Sequence, residues 1–328
     1  MKKRLAILLS FLFLFTVTIG MFSYKTDAVY KSNKTIKVVY PDGIPALTIA
    51  KLVKENPTIY KNLTMEYMVQ NTPDALIAKV VSGEADIAIV PSNVTAQLYN
   101  KGLPYRLAAT PGWGSLYVIS TQVLKNYNYL VGKKIFNIGQ GLTPDIVFKY
   151  ILAKNNVNIN KDLRIAYLSS ATELAPAFVA GKSKIAVMPE PMLTNVLMKK
   201  EDAKIYFDLN KEWMKLTGSV NGYPQSSLII KKNLIEKNRA FVDSFLAKYK
   251  ESIEWGNKNP DKLGEYAEAL SLSMNKTVVE KCITRANMKY VYIKDCYKDY
   301  QNYFKALLDF APKSIGGKLP DEGIFMEK

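Results

Sequence analysis

Two carboxylates, Glu84 and Asp86, stand two residues apart ahead of an apolar run, and a close pair of this kind can divide acid and base duties. Their spacing at a strand entrance points them apart, and no imidazole is available as a partner, because the chain contains no histidine. That absence excludes Ser-His-Asp and Cys-His nucleophiles and His-ligated zinc. The two cysteines, Cys282 and Cys296, cannot build a structural zinc site alone. No catalytic residue, no metal and no cofactor is expected. The chemistry left is recognition. Gly139-Gln140-Gly141-Leu142-Thr143 is the best cradle for an anion or polar group, since its glycines let the backbone approach and Thr143 opens a helix. Ser92 and Asn93 follow a strand, and either touch ligand or merely cap a helix; Asn93 can both donate and accept. Glu190, between two prolines, is expected to face a cleft and accept hydrogen bonds from an amine or amide, or else to cap its own helix. Trp113 offers a rigid face for a planar ligand, or serves as core. Gly43, Ile44, Pro45 and Ala46 complete the candidate set.

These residues must be held by recurring elements. Gly83-Glu84-Ala85-Asp86-Ile87-Ala88-Ile89-Val90-Pro91 returns 98 residues later as Gly181-Lys182-Ser183-Lys184-Ile185-Ala186-Val187-Met188-Pro189. Both read as an apolar strand bounded by Gly and Pro, which suits burial on both faces of a mainly parallel sheet. The echo extends backwards to apolar strands at 36–40 and 135–138, each followed by a Gly/Pro loop and a helical pattern. Thr72-Pro73-Asp74, Thr143-Pro144-Asp145 and Ser170-Ala171-Thr172-Glu173 are helix starts. Helices opening directly after buried strands put candidate residues at the carboxyl edge of a sheet, where open α/β sheets bind ligands. Two similar α/β lobes follow. Gly112 and Gly114 mark one crossing between them, and the chain is expected to return near Gly222-Tyr223-Pro224. The expected division is 34–112 for the first part of lobe 1, 113–221 for lobe 2 and 222–328 for the return to lobe 1 with helices at 236–255, 262–272, 276–288 and 295–310.

Composition sets the boundaries of function. The 328 residues suffice for two cores. Formal charge is +16, with Lys and Arg spread along the chain and no basic run interleaved with aromatics, so no nucleic-acid partner is expected. Residues 1–28 carry Lys2-Lys3-Arg4 and an 18-residue apolar run from Leu5 to Phe22. They read as a signal peptide or an uncleaved N-terminal anchor, and an exported protein is expected in either case. No Cys is present there for lipid attachment. In an exported chain Cys282 and Cys296 either form a disulfide or remain separate buried thiols.

Several short motifs, in this order and spacing, resemble substrate-binding proteins of ABC importers, in the branch of sulfonate, taurine, nitrate and thiamine-precursor binders. They are Ser82-Gly83-Glu84-Ala85-Asp86-Ile87-Ala88 with Pro91-Ser92-Asn93, Gly102-Leu103-Pro104-Tyr105, Gly132-Lys133-Lys134-Ile135, Pro189-Glu190-Pro191 and Ile315-Gly316-Gly317-Lys318-Leu319-Pro320. The resemblance implies a two-lobed type II periplasmic-binding fold, an extracytoplasmic monomer, closure on a small polar or anionic organic solute, and delivery to membrane permease subunits. The missing lipobox Cys departs from Gram-positive relatives, and Lys184 stands where the first lobe has Asp86. The same fold also hosts enzymes, pyrimidine-precursor synthases and small-molecule lyases among them, and an anchored ligand-sensing module is a further alternative.

Overall fold

Short β-branched runs stopped by proline become strands, and the Ser/Thr/Asp/Pro punctuation after them starts helices. The computed structural model describes residues 34–327; the expected signal peptide or anchor at 1–28 lies outside the described residues. Two sheets organise the chain. The first has the order β11-β4-β10-β3-β1-β2, with β1 Lys34–Pro41, β2 Leu63–Gln70, β3 Ile87–Pro91, β4 Tyr105–Trp113, β10 Pro224–Lys231 and β11 Met288–Tyr292. The second has the order β7-β6-β8-β5-β9, with β5 Leu116–Ser120, β6 Lys134–Ile138, β7 Arg164–Leu168, β8 Ile185–Pro189 and β9 Lys204–Asp208.

The sequence echo has a spatial counterpart. β3 pairs in parallel with β1 through Val38 and Ile87, and β8 pairs in parallel with β6 through Ile135 and Ile185. On its other side each of these strands takes an antiparallel neighbour, β10 against β3 and β5 against β8. The sheets are therefore mixed. Strands joined by a helix keep the parallel sense, while the strands entered from a lobe crossing, β5 and β10, run the other way. β3 and β8 are buried along Ile87 to Val90 and Ile185 to Met188, as strands covered on both faces must be.

The chain passes between the sheets twice. One passage is the short link from β4 to β5, and the other leads from α7, Leu209–Thr217, into β10. The two passages lie side by side: the Gly114 N–H donates to the Tyr223 carbonyl at 3.0 Å. Gln225 completes the seam, its Oε1 accepting from the Ser115 N–H at 2.8 Å and its Nε2 donating to Ser115 Oγ at 3.0 Å. A Cβ on Gly114 would overlap the Tyr223 ring and Asn210 Oδ1, and one on Gly222 would overlap the Asn210 amide. Both glycines are required by this close approach.

After β10 come α8, Lys232–Lys237, α9, Arg239–Lys258, α10, Pro260–Ala269, and α11, Lys276–Cys282. The helix expected at 276–288 stops at Cys282. Asn287 takes φ 48°, and Met288 opens β11, which pairs antiparallel with β4. The alternating Lys289-Tyr290-Val291-Tyr292 pattern suits the edge of the first sheet better than another helical turn. The last long helix, α12, covers Ile293–Phe310.

Cys282 and Cys296 are not joined. Both thiols are free and buried, in different core clusters, Cys282 with Val278 and Val279 and Cys296 with Ile293 and Tyr300. β11 lies between their helices in the chain, and each cysteine turns to its own helix's core. Burial pushes both thiols up to about 12.

Candidate ligand-binding cleft

A cleft of about 480 Å³ lies where the carboxyl ends of β1, β3, β6 and β8 and the first crossing meet. Pro41, Pro91, Ile138 and Pro189 contribute strand ends. Three helix starts close around them: α1, Ile44–Glu55, with Ile44 and Pro45; α2, Pro73–Val81, with Pro73, Asp74, Leu76 and Ile77; and α4, Thr143–Lys154, with Leu142 just before it and Thr143 and Pro144. Asn93, Val94 and Gln97 come from α3, Ser92–Asn100. Trp113, Ser115, Leu116, Gln225 and Ser226 form the floor at the crossings. Most of this wall is apolar. Among the described residues Asp74 is the single charged side chain on it, and no Lys or Arg lines it.

Of the expected site residues, Ile44, Pro45, Asn93, Trp113, Leu142 and Thr143 line the cleft, and Gly43, Ala46, Ser92, Gln140, Gly141 and Glu190 do not. Each of the latter has a physical reason. Gly43 sits at φ 94° as the residue before α1, its N–H donating to the Asp42 carboxylate, and Ala46 points into the core. Ser92 Oγ accepts from Ser227 Oγ at 2.8 Å beneath the floor. Gln140 is exposed. Gly141 donates its N–H to Asp145 Oδ2 at 2.8 Å.

Glu190 departs from the cleft-facing expectation and instead accepts an N–H from the first turn of its own helix, the alternative its sequence offered. Its side chain is fully shielded from solvent and faces the gap between lobes beside the cleft. Arg285, in the turn before β11, donates from Nε to Glu190 Oε1 at 2.6 Å. Thr194 donates from its N–H to Oε2 at 3.1 Å and from its hydroxyl to Oε1 at 3.0 Å. The Arg285 Nη2 donates in turn to Thr194 Oγ1 at 2.6 Å, and Tyr117 donates to the Arg285 carbonyl at 3.0 Å. Burial raises the Glu190 carboxyl above its ordinary range, with Arg285 and Thr194 offsetting part of that rise. Glu190 therefore joins the second sheet to the first. The cap reading of Ser92 and Asn93 also gives way: no side chain caps α3, and Asn93 bridges elements instead. Its Nδ2 donates to the Ser314 carbonyl at 3.3 Å, and its Oδ1 accepts from the Thr143 hydroxyl at 3.4 Å. Thr143 and the Tyr303 hydroxyl share a 2.7 Å bond. Trp113 is both wall and core. It is 2% exposed, lines the cleft, and is anchored by Nε1 donating to the Lys289 carbonyl at 3.0 Å.

Sequence reasoning passed over Asp74, Leu76 and Ile77, although the Thr72-Pro73-Asp74 start was legible. Following that helix through its first turn and a half from the sheet edge would have found them. Gln225 and Ser226 were visible as part of the return crossing but not as floor.

The family model described as "Menaquinone biosynthesis" matches residues 48–304. In Bacillus subtilis (strain 168), the protein named "Putative binding protein YtlA" is 22% identical over 283 residues, covering 82% of this chain and 81% of its own. Among solved structures, an ABC transporter protein from Parabacteroides distasonis superposes with a TM-score of 0.77 at 28% identity, over 90% of this chain and 99% of that one. The periplasmic aliphatic sulphonate binding protein SsuA from Escherichia coli superposes at 0.72 with 13% identity, over 88% and 90%; at that identity the likeness is one of fold. The chain thus belongs to the menaquinone biosynthesis family, and its architecture is the two-lobed type II periplasmic-binding fold of ABC-transporter substrate-binding proteins.

Proposed function

We propose that this protein is the extracytoplasmic solute-capturing component of an ABC importer, which closes its lobes on a small organic molecule and hands it to a membrane permease. The observation that carries the reading is the cleft itself, walled by strand ends and helix starts of both sheets and floored by the two crossings. Ligand contacting both walls binds the closed arrangement better than the open one and shifts the population toward it. The binding-protein names among its relatives support the same reading. Native mass spectrometry of protein purified without refolding tests it: a bound small mass lost on denaturation is expected. A consistently bare chain whose scattering profile is unchanged by any small-molecule panel would refute it.

A second reading, an enzyme acting on a small molecule, is favoured by the family description. Asp74, the one charged side chain on the wall among the described residues, would be its carboxylate base. Recovering the bound molecule after incubation separates the two readings: unchanged mass supports capture, and a new product supports catalysis.

A further inference from the structure

We infer that the cleft selects against anionic head groups and takes an uncharged or amine-bearing organic molecule with a largely apolar body. This rests on the reading of the cleft as the binding site. Helix starts at a sheet edge ordinarily offer several free N–H groups to an anion, but at three of the four starts around this cleft they are reduced, α3 being the one with neither a proline in its first turn nor a side-chain cap. α1, α2 and α4 each carry proline in the first turn, Pro45, Pro73 and Pro144, and proline has no N–H to give.

One donor near each of these prolines is turned inward. The Ala46 N–H donates to the Gly43 carbonyl at 3.0 Å, the Ala75 N–H to Thr72 Oγ1 at 3.3 Å, and the Asp145 N–H to the Leu142 carbonyl at 3.0 Å. The Gly139–Thr143 turn, the best anion cradle in the sequence, is occupied by the chain's own carboxylate. Asp145, 1% exposed, accepts from the Gly141 N–H at 2.8 Å, from Lys149 Nζ at 2.8 Å and from the Tyr167 hydroxyl at 2.7 Å. An incoming sulfonate or carboxylate at this turn would find the Gly141 N–H and the nearby Lys149 already committed to Asp145. The +16 surplus of the whole chain does not reach the wall, where no Lys or Arg stands among the described residues and Asp74 is the one charge. Burying an anion there without a paired cation or free donors costs several kcal/mol. An apolar body instead covers Ile44, Leu76, Ile77, Val94, Trp113 and Leu142, and an amine could meet Asp74 at the rim.

The test uses two fluorescent probes with one ring system, neutral dansylamide and anionic 5-dimethylaminonaphthalene-1-sulfonate, titrated into the full chain. Dansylamide is expected to bind at least tenfold more tightly. Ile77→Arg, which puts a cation on the wall, should narrow or reverse that ratio; Leu142→Lys, at a half-exposed position, serves if the first variant fails to fold. Equal or tighter binding of the sulfonate to the unaltered protein overturns the inference while leaving the cleft in place. Failure of both probes to saturate also overturns it. Probe binding indifferent to both wall variants would instead overturn the cleft reading beneath it.

Discussion

Arg285→Ala should be among the most damaging single changes in this protein, and its cost should grow with pH. Glu190's side chain has no solvent contact, and Arg285, with 28% of its side chain exposed, is its only paired cation among the described residues. Removing one partner of a buried pair leaves an uncompensated charge and costs roughly 3–5 kcal/mol. Thr194 still donates twice to the carboxylate, so about 3 kcal/mol at pH 8 is expected. The carboxyl is already raised by burial, and loss of Arg285 raises it further. A raised carboxyl binds more protons folded than unfolded, so stability falls as pH climbs from the unfolded value of about 4.3 through the folded one. The deficit against the unaltered protein should therefore be clearly smaller at pH 5 than at pH 8. Urea unfolding followed by tryptophan fluorescence at both pH values measures it. The double variant Glu190→Gln/Arg285→Ala should recover part of the pH 8 loss, since no charge is then stranded. A pH 8 deficit under about 1 kcal/mol, or one identical at both pH values, would refute the assignment of this contact as a buried, charge-paired bridge.

Three further outcomes are expected. In native protein Cys282 and Cys296 should resist alkylation at pH 8, because burial and a pKa of about 12 leave almost no thiolate; intact mass should show two modifications only after unfolding. Gly114→Ala should lose about 2–3 kcal/mol of stability in urea unfolding, since its methyl would overlap Tyr223 and Asn210 in the crossing seam, whereas Gly83→Ala, with open space around it, should suffer only the strain of its positive φ. Tyr292 and Arg239 hold the Glu327 carboxyl below its ordinary range. Its contribution is present above the unfolded value and lost as pH falls through the folded one, so Glu327→Gln should lower stability at pH 7, with the difference shrinking as pH falls below the ordinary carboxylate range; parallel pH profiles would contradict it.

Much of the architecture could be read from local signals. The strand stops at Pro91 and Pro189 and the start at Thr72-Pro73-Asp74 are short-range chemistry, and all reappear, with Thr72 Oγ1 accepting the Ala75 N–H. Ser170 caps its helix by the same geometry, although Glu173 reaches back to Ser169 rather than to Ser170 itself. The site was legible to the level of which loops meet, not which side chains face inward. Glu190 illustrates why: its partner Arg285 is 95 residues away, and nothing near Glu190 announces it. Asp145 was hidden in another way. It was read as part of a helix start, while its acceptance of the Gly141 N–H follows from the closing of the turn in three dimensions. β11 escaped notice because a five-residue edge strand, its first residue taken as helix and the rest left between the helices at 276–288 and 295–310, carries little signal until β4 is beside it.

The strand order also sets a timetable. β10 lies between β3 and β4 in the first sheet, yet follows them in the chain by more than a hundred residues. As the polypeptide grows from its amino end, β3 and β4 emerge with no strand to occupy the space between them. The whole of the second sheet, β5 through β9, is made before β10 appears. The second lobe can thus assemble while the first still waits as an open half, its edges unsatisfied. The first sheet is therefore closed only by the last third of the chain, so truncation ahead of β10 removes the strand that joins its two parts.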